Sequence, residues 1–254
     1  MANATQEIAE GVYRYADGLV NWYMIEEDGQ LTLVDSGWPR SWPRIEQAIS
    51  GIGHSVRDVA AIVLTHGHPD HLGAAEKARQ ECGAPVMAYR EEVPRVKGEA
   101  KGSSPFTLVP SLLPHLWRPS SLGFVLRATG EGFLTPTWVK EVQPFEADEE
   151  LDVPGRLRAI RTPGHTEGHV SLLAEEKDVL FAGDALLTLD PLTREEGPRM
   201  PPDSLNTHPD KVRASLDALE KVEAGTLLPG HGEPWTRGVA QAVAQAVARA
   251  KSRD

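Results

Sequence analysis

A single cysteine, Cys82, stands in a chain of 254 residues, so no internal disulfide can form. It precedes Gly83 near the end of a predicted helix. There it reads as a small packed or partly exposed side chain rather than a nucleophile. Long apolar runs are missing too. Nothing approaches the roughly eighteen consecutive apolar residues of a membrane-spanning helix, so no membrane partner is expected. The segment Met1-Ala2-Asn3-Ala4-Thr5-Gln6-Glu7 lacks the basic start and apolar core of a secretory leader, and a cytoplasmic location is the default. Positive charge is in deficit, with a net charge of −11. That argues against a general nucleic-acid binder, which needs a basic footprint. No solenoid repeat or low-complexity tail is present. The hydrophobic share of 40% is ordinary for a soluble globular protein, and the length admits one large domain or two small ones.

What is present is concentrated. His66-Gly67-His68-Pro69-Asp70-His71 packs three imidazoles and a carboxylate into six residues, directly after the apolar run Ala60-Ala61-Ile62-Val63-Leu64. That run reads as a buried strand, and Gly67 and Pro69 mark the turn after it. In extended chain the side chains at i and i+2 point the same way, so His66 and His68 converge. Past the turn, Asp70 and His71 can aim at a second point nearby. One loop can therefore serve two metal ions. Four distant segments look like further ligand loops: Thr162-Pro163-Gly164-His165-Thr166-Glu167-Gly168-His169, Phe181-Ala182-Gly183-Asp184, Leu227-Leu228-Pro229-Gly230-His231-Gly232 and Leu33-Val34-Asp35-Ser36-Gly37. Each follows an apolar or β-rich stretch and sets a polar residue beside or close to Gly, as loops at the ends of core strands do.

Alternation predicts strands at 11–15, 20–25 and 31–34, then at 60–64, 85–89, 157–160, 170–173, 179–181 and 226–228. Helices are predicted at about 42–49, 72–81, 209–222 and 239–250. The last carries Val239, Val243 and Val247 on one apolar stripe. Residues about 91 to 150 interrupt this pattern. They are rich in Pro and Gly and carry Phe106, Trp117, Phe124, Phe133 and Trp138. Apolar residues there fall at helical spacing, but Pro110 and Pro114 forbid one long helix. The segment reads equally as an apolar cap over a groove or as a packed excursion or dimer contact.

Taken together, these motifs resemble the metallo-β-lactamase-fold hydrolase superfamily, in the family's order, from Asp35 to His231. The resemblance implies a four-layer αββα sandwich, an α/β fold, formed by a single domain over 1–254 with the 91–150 segment inserted. It implies that His66, His68 and His165 hold one metal and that Asp70, His71 and His231 hold the second, with Asp184 bridging both. Asp35 and His169 match positions that orient ligands through hydrogen bonds. Direct ligation is the lesser alternative for each. His54, His115 and His208 lack partner motifs and read as surface or capping residues, although His115 sits in the insert. Imidazole and carboxylate donors without thiolate suit Zn²⁺ first, then Fe²⁺ or Mn²⁺. Five neutral imidazoles and two carboxylates leave two divalent ions undercompensated. A bridging hydroxide leaves the centre at about +1, which attracts an oxyanion.

The implied reaction is hydrolysis by metal-activated hydroxide, with Asp70 orienting the nucleophile and passing a proton to the leaving group. Among branches of the superfamily, the true β-lactamases commonly lack an aspartate where Asp184 stands. Flavo-diiron oxygen reductases carry Glu where His68 stands, together with a flavin domain. Transfer-RNA-processing nucleases favour basic surface. Pro-Gly-His-Thr-x-Gly-His and Gly-Asp resemble glyoxalase II, but few residues follow His231 to build that family's glutathione-binding helices. Lactonases share the ligand set and the size. The expected substrate is thus a small molecule with an ester, thioester or lactone group and an apolar or acyl portion. The rivals are a mononuclear iron persulfide dioxygenase and a metal-dependent phosphodiesterase. A non-catalytic binding protein is disfavoured, since no ligand position is missing. A homodimer is compatible with the insert.

Overall fold

The computed structural model describes residues 5–252. Met1 to Ala4, most of the stretch weighed as a leader, lie outside the described residues. The strands are β1 (Thr5–Ala9), β2 (Val12–Asp17), β3 (Val20–Glu27), β4 (Gln30–Val34), β5 (Val59–Leu64), β6 (Val86–Tyr89), β7 (Val142–Phe145), β8 (Glu150–Leu151), β9 (Leu157–Arg161), β10 (Val170–Ala174), β11 (Val179–Gly183), β12 (Leu187–Leu189), β13 (Glu196–Arg199) and β14 (Thr226–Pro229). The helices are α1 (Trp42–Gly51), α2 (Ala75–Cys82), α3 (Val93–Val96), α4 (Val109–Leu112), α5 (Pro119–Gly130), α6 (Pro209–Leu219) and α7 (Val239–Lys251).

β1 to β7 lie side by side in sequence order in one sheet. β14-β11-β10-β9-β8 form the second sheet, and β12 pairs with β13. Alternation along the strands explains how the layers stack, because successive side chains face opposite sides of a sheet. Tyr23 and Ile25 of β3, with Ala61 and Val63 of β5, face inward. They meet Leu172, Phe181 and Leu228 of the second sheet in one buried cluster. Trp22, Met24, Ile62 and Leu64 face the other way and pack against Ile45 and Ile49 of α1 and Ala75 and Ala78 of α2. On the far side, Leu173, Leu180 and Leu227 pack against Leu216 of α6 and Val239, Val243 and Ala246 of α7. The result is the four-layer αββα sandwich.

Several boundaries differ from expectation. β1 is an additional edge strand, and β7 extends the first sheet in parallel with β6. β7 contains Pro144, which lacks an N–H and is tolerated at a sheet edge. α2 starts at Ala75 rather than Leu72. The amides of His71 and Leu72 both bond back to the His68 carbonyl, at 3.0 and 2.9 Å. This tight turn aims Asp70 and His71 before the helix begins. Cys82 is buried. Burial pushes its thiol up to about 11, so it stays protonated at neutral pH. No described helix is long and apolar enough to cross a membrane.

Candidate metal centre

β4 runs parallel to β5, and β11 runs parallel to β14. Their C-terminal ends open on one edge of the sandwich, and the polar motifs follow those ends. Asp35 follows β4, and His66 to His71 follow β5. His165 lies between β9 and β10, and His169 immediately precedes β10. Asp184 follows β11 and His231 follows β14.

Three interlocking groups of ligand atoms result: His66 with His68 and His165, His66 with His71 and Asp184, and Asp70 with His71 and His231. Within each group the ligand atoms lie no more than 4.8 Å apart. Asp184 reaches into both halves. Its Oδ1 is 3.5 Å from His71 Nε2, while its Oδ2 is 3.3 Å from His165 Nε2 and 3.2 Å from His231 Nε2. Asp70 Oδ2 stands 3.6 Å from His231 Nε2 and 4.0 Å from His71 Nε2. Buried polar atoms ordinarily find hydrogen-bond partners. Here His66 Nε2, His71 Nε2 and Asp184 Oδ1 have none. Unsatisfied nitrogen and carboxylate lone pairs converging in a buried volume fit divalent cations.

The rings are held from behind. His71 Nδ1 donates to Asp35 Oδ2 at 2.8 Å, and His231 Nδ1 donates to the Leu19 carbonyl at 2.5 Å. His165 Nδ1 donates to Asn206 Oδ1 at 3.0 Å. The Thr65 hydroxyl donates to Asp35 Oδ2 at 2.8 Å. With its one proton committed, it accepts from His66 Nδ1 at 3.0 Å. Each of these four rings therefore turns its Nε2 inward. His68 turns Nδ1 inward instead, 2.8 Å from His165 Nε2. The Asp184 amide donates to His169 Nε2 at 2.9 Å, and His169 Nδ1 donates to the Thr162 hydroxyl at 2.8 Å. Both His169 nitrogens are thus engaged, which leaves no lone pair for a metal. Asp35 accepts from the Thr65 amide as well, at 2.8 Å. Its φ of +60° lies in the left-handed region, which costs a non-glycine residue about 1 kcal/mol or more. The bonds to Thr65 and His71 offset that strain.

The electrostatics divide the histidines. Burial and the neighbouring rings hold His66 and His68 well below the usual imidazole value. Burial takes His169 down to about 3. Burial also pushes His71 down, but Asp184, then Asp35 and Asp70, outweigh it and carry His71 to about 10. Against its own burial, Asp184 is held well below the carboxylate range by His231 and His71. Negative charge around His71 and His231 thus seeks a cation.

Above the ligands, the insert supplies Leu112, Phe124 and Phe133. With Pro191 and Leu205 these wall a cavity of about 30 Å³ floored by His68, Asp70, His165, Asp184 and His231. That is close to one water's share of liquid volume. A larger cavity of about 660 Å³, reached by His115 and Arg118, receives none of the motif residues.

Some supporting residues carry no sequence signal. Asn21 and Tyr23 on β3 donate to the Pro229 carbonyl at 2.9 and 2.6 Å, which fastens the His231 loop to the first sheet. Glu92, buried just before α3, accepts from the Gly67 amide at 2.8 Å and the Gly168 amide at 2.9 Å. It clips together two ligand loops. Thr162 was legible, since it opens the Thr-Pro-Gly-His motif. Gly230 is required by close approach: a Cβ there would stand 2.0 Å from Asp184 Oδ1 and 2.7 Å from His71 Cε1. Gly230→Ala should displace Asp184, lowering bound metal and cutting kcat by about 100-fold, as a misplacement near 1 Å does. Metal analysis with steady-state kinetics checks this, and full metal loading with unchanged kcat contradicts it.

Comparison with known proteins agrees with this geometry. The sequence model of the metallo-beta-lactamase superfamily matches residues 15–231. The probable metallo-hydrolase YflN of Bacillus subtilis is 31% identical over 245 residues, covering 91% of this chain and 87% of that protein. The hydroxyacylglutathione hydrolase GloC of Haemophilus influenzae is 26% identical over 162 residues, 63% of each chain. The crystal structure of the metallo-beta-lactamase family protein TTHA1429 from Thermus thermophilus superposes with a TM-score of 0.70 at 27% identity, covering 97% of this chain and 81% of that one. The chain therefore belongs to the metallo-β-lactamase superfamily of metal-dependent hydrolases.

Proposed function

We propose that the protein is a binuclear metal-dependent hydrolase acting on an ester, thioester or lactone carbonyl. The observation that carries this reading is the interlocking of the three ligand groups. His66, His68 and His165 would hold one ion, and Asp70, His71 and His231 the other. Asp184, with one oxygen toward His71 and the second toward His165 and His231, would lie between them. Two divalent ions there, zinc by donor chemistry with iron or manganese as alternatives, would supply a water of lowered pKa and a Lewis acid for a carbonyl oxygen. The chain's own groups do the rest. Asp35, His169, Asn206 and the Leu19 carbonyl fix the orientation of the ligands. The Asp70 carboxylate faces the cavity and can hold a proton for the leaving group.

The apolar walls favour a substrate with an apolar acyl portion, and in this reading the insert over 91–150 is a cap on a single domain. Acyl chemistry is further supported by a relative named for hydroxyacylglutathione. The test is metal analysis of protein purified without added metal, followed by parallel assays. Two divalent ions per chain are expected. Hydrolysis of a p-nitrophenyl ester, a thioester or a lactone should be lost on chelation and restored by zinc. One iron per chain, or cleavage of bis-p-nitrophenyl phosphate without acyl hydrolysis, would overturn the reading.

A further inference from the structure

The insert carries a second set of apolar side chains, distinct from those that wall the cavity over the ligand cluster. Among the described residues, all the large hydrophobic side chains that stand exposed fall between 106 and 126: Phe106, Val109, Leu113, Trp117, Leu122 and Leu126, from 39% to 76% accessible. Their spacing is helical in two runs. Phe106, Val109, Leu113 and Trp117 are separated by three, four and four residues. Leu122 and Leu126 are one turn apart on α5. The intervening Leu112, Phe124 and Ala128 point inward and pack with Leu19, Val20, Trp38 and Leu192. Apolar patches of several hundred Å² are about as much as monomeric proteins leave open without an interaction to explain them.

Charge on this stretch is equally unusual. The chain carries 37 acidic residues, yet none lies between 100 and 130, where Lys101, Arg118 and Arg127 do. The Arg118 guanidinium lies over the Trp117 ring, 5.1 Å from its centroid. Arg127 is turned to Glu131, 3.7 Å away, and Asp203 and Asp210 line the cavity beside Arg118. Lys101 and Arg118 are thus the cations left among the exposed Trp and Leu. Aromatic rings at headgroup level with basic groups beside them match a lipid–water interface.

We propose that this face docks on an anionic membrane surface. A second copy of the chain fits it less well. Pairing the face with itself would set Arg118 and Lys101 of two copies into one interface, with no acidic residue in the stretch to compensate. The remainder of the molecule, strongly acidic, is repelled by an anionic bilayer, so this face is the one that approaches. Such docking is peripheral and needs no spanning helix. It stands apart from the reaction assigned to the metals.

The test is co-sedimentation of the full chain with vesicles of phosphatidylcholine alone or mixed equally with phosphatidylglycerol. Binding to the anionic vesicles should exceed binding to the neutral ones at least tenfold and fall steeply with salt. Tryptophan emission should shift to the blue. Trp117 would dominate this signal, since Trp22, Trp38, Trp42 and Trp235 are buried and Trp138 is partly buried against the core, and the shift should be lost in Trp117→Ser. Trp117→Ser, and separately Leu122→Gln with Leu126→Gln, should each weaken binding at least tenfold without moving the thermal unfolding midpoint. No sedimentation, or equal sedimentation with both vesicles, overturns the proposal. So does a solution mass of two chains that the leucine variants return to one, which would mean that a second copy covers the face.

Discussion

Replacing Asp184 by alanine is expected to lower activity by on the order of 1,000-fold or more and to strip metal from the centre. That figure corresponds to about 4 kcal/mol of lost transition-state stabilisation, the scale expected of metal-held charge. The reason is geometric. Among the described residues, no other carboxylate stands within 3.5 Å of ring nitrogens from His71, His165 and His231. Removing it leaves His71, His165 and His231 without the anion they share, and the Nε2 of His71 already lacks a partner. Asp184→Asn keeps the shape and removes the charge. It should retain more metal than Asp184→Ala and still lose most activity. Metal content per chain and kcat, measured on both variants, check this. An alanine variant with its full metal complement and wild-type kcat would show that Asp184 does not link the two halves.

Glu92→Ala is expected to destabilise the fold by about 3–5 kcal/mol. The substitution leaves the buried amides of Gly67 and Gly168 without acceptors, each at a cost of about 1–3 kcal/mol. It also removes the carboxylate 3.7 Å from Arg95, a buried partner whose isolation adds to the loss. For a chain of this size the unfolding midpoint should drop by about 10 °C. The drop should persist in metal-stripped protein, because the clip joins backbone to backbone. Glu92→Gln retains one oxygen acceptor and should lose roughly half as much.

The pH dependence has a definite sign. Burial holds Glu92 above the ordinary carboxylate value, so the folded chain keeps its proton where the unfolded chain has released it. Stability contributed by Glu92 therefore declines as pH rises from about the ordinary value of 4.5 through the raised one. Wild type and Glu92→Gln should converge in midpoint over that window. A constant difference across it would contradict the assignment.

The pattern of alternation and the local density of ligands made much of this protein legible. β3, β4, β5 and β10 announce themselves because their side chains divide cleanly between two buried faces. The six-residue stretch from His66 to His71 announces itself because so many ligand groups in one turn have few other uses. Other features carry no local mark. β7 contains a proline and rests on its place at the sheet edge. The start of α2 was displaced by three residues, because a turn closed on the His68 carbonyl is stronger there than helical propensity. Asn21, Glu92 and Asn206 are ordinary polar residues in the sequence. Each matters through a partner 25 to 211 positions away.

The sequence by itself determined which residues offer ligand groups and where most strands of the two large sheets lie, while the family resemblance, rather than layer logic, selected two sheets stacked between helices. Tertiary structure alone decided which nitrogen of each ring turns inward. It also decided that His169 spends both nitrogens on Thr162 and the Asp184 amide, and that some apolar residues of the insert wall the cavity over the ligand cluster while others stay bare. The physical reason is that hydrophobic periodicity is a property of neighbours along the chain, whereas hydrogen-bond satisfaction and exposure depend on which distant segments meet in space.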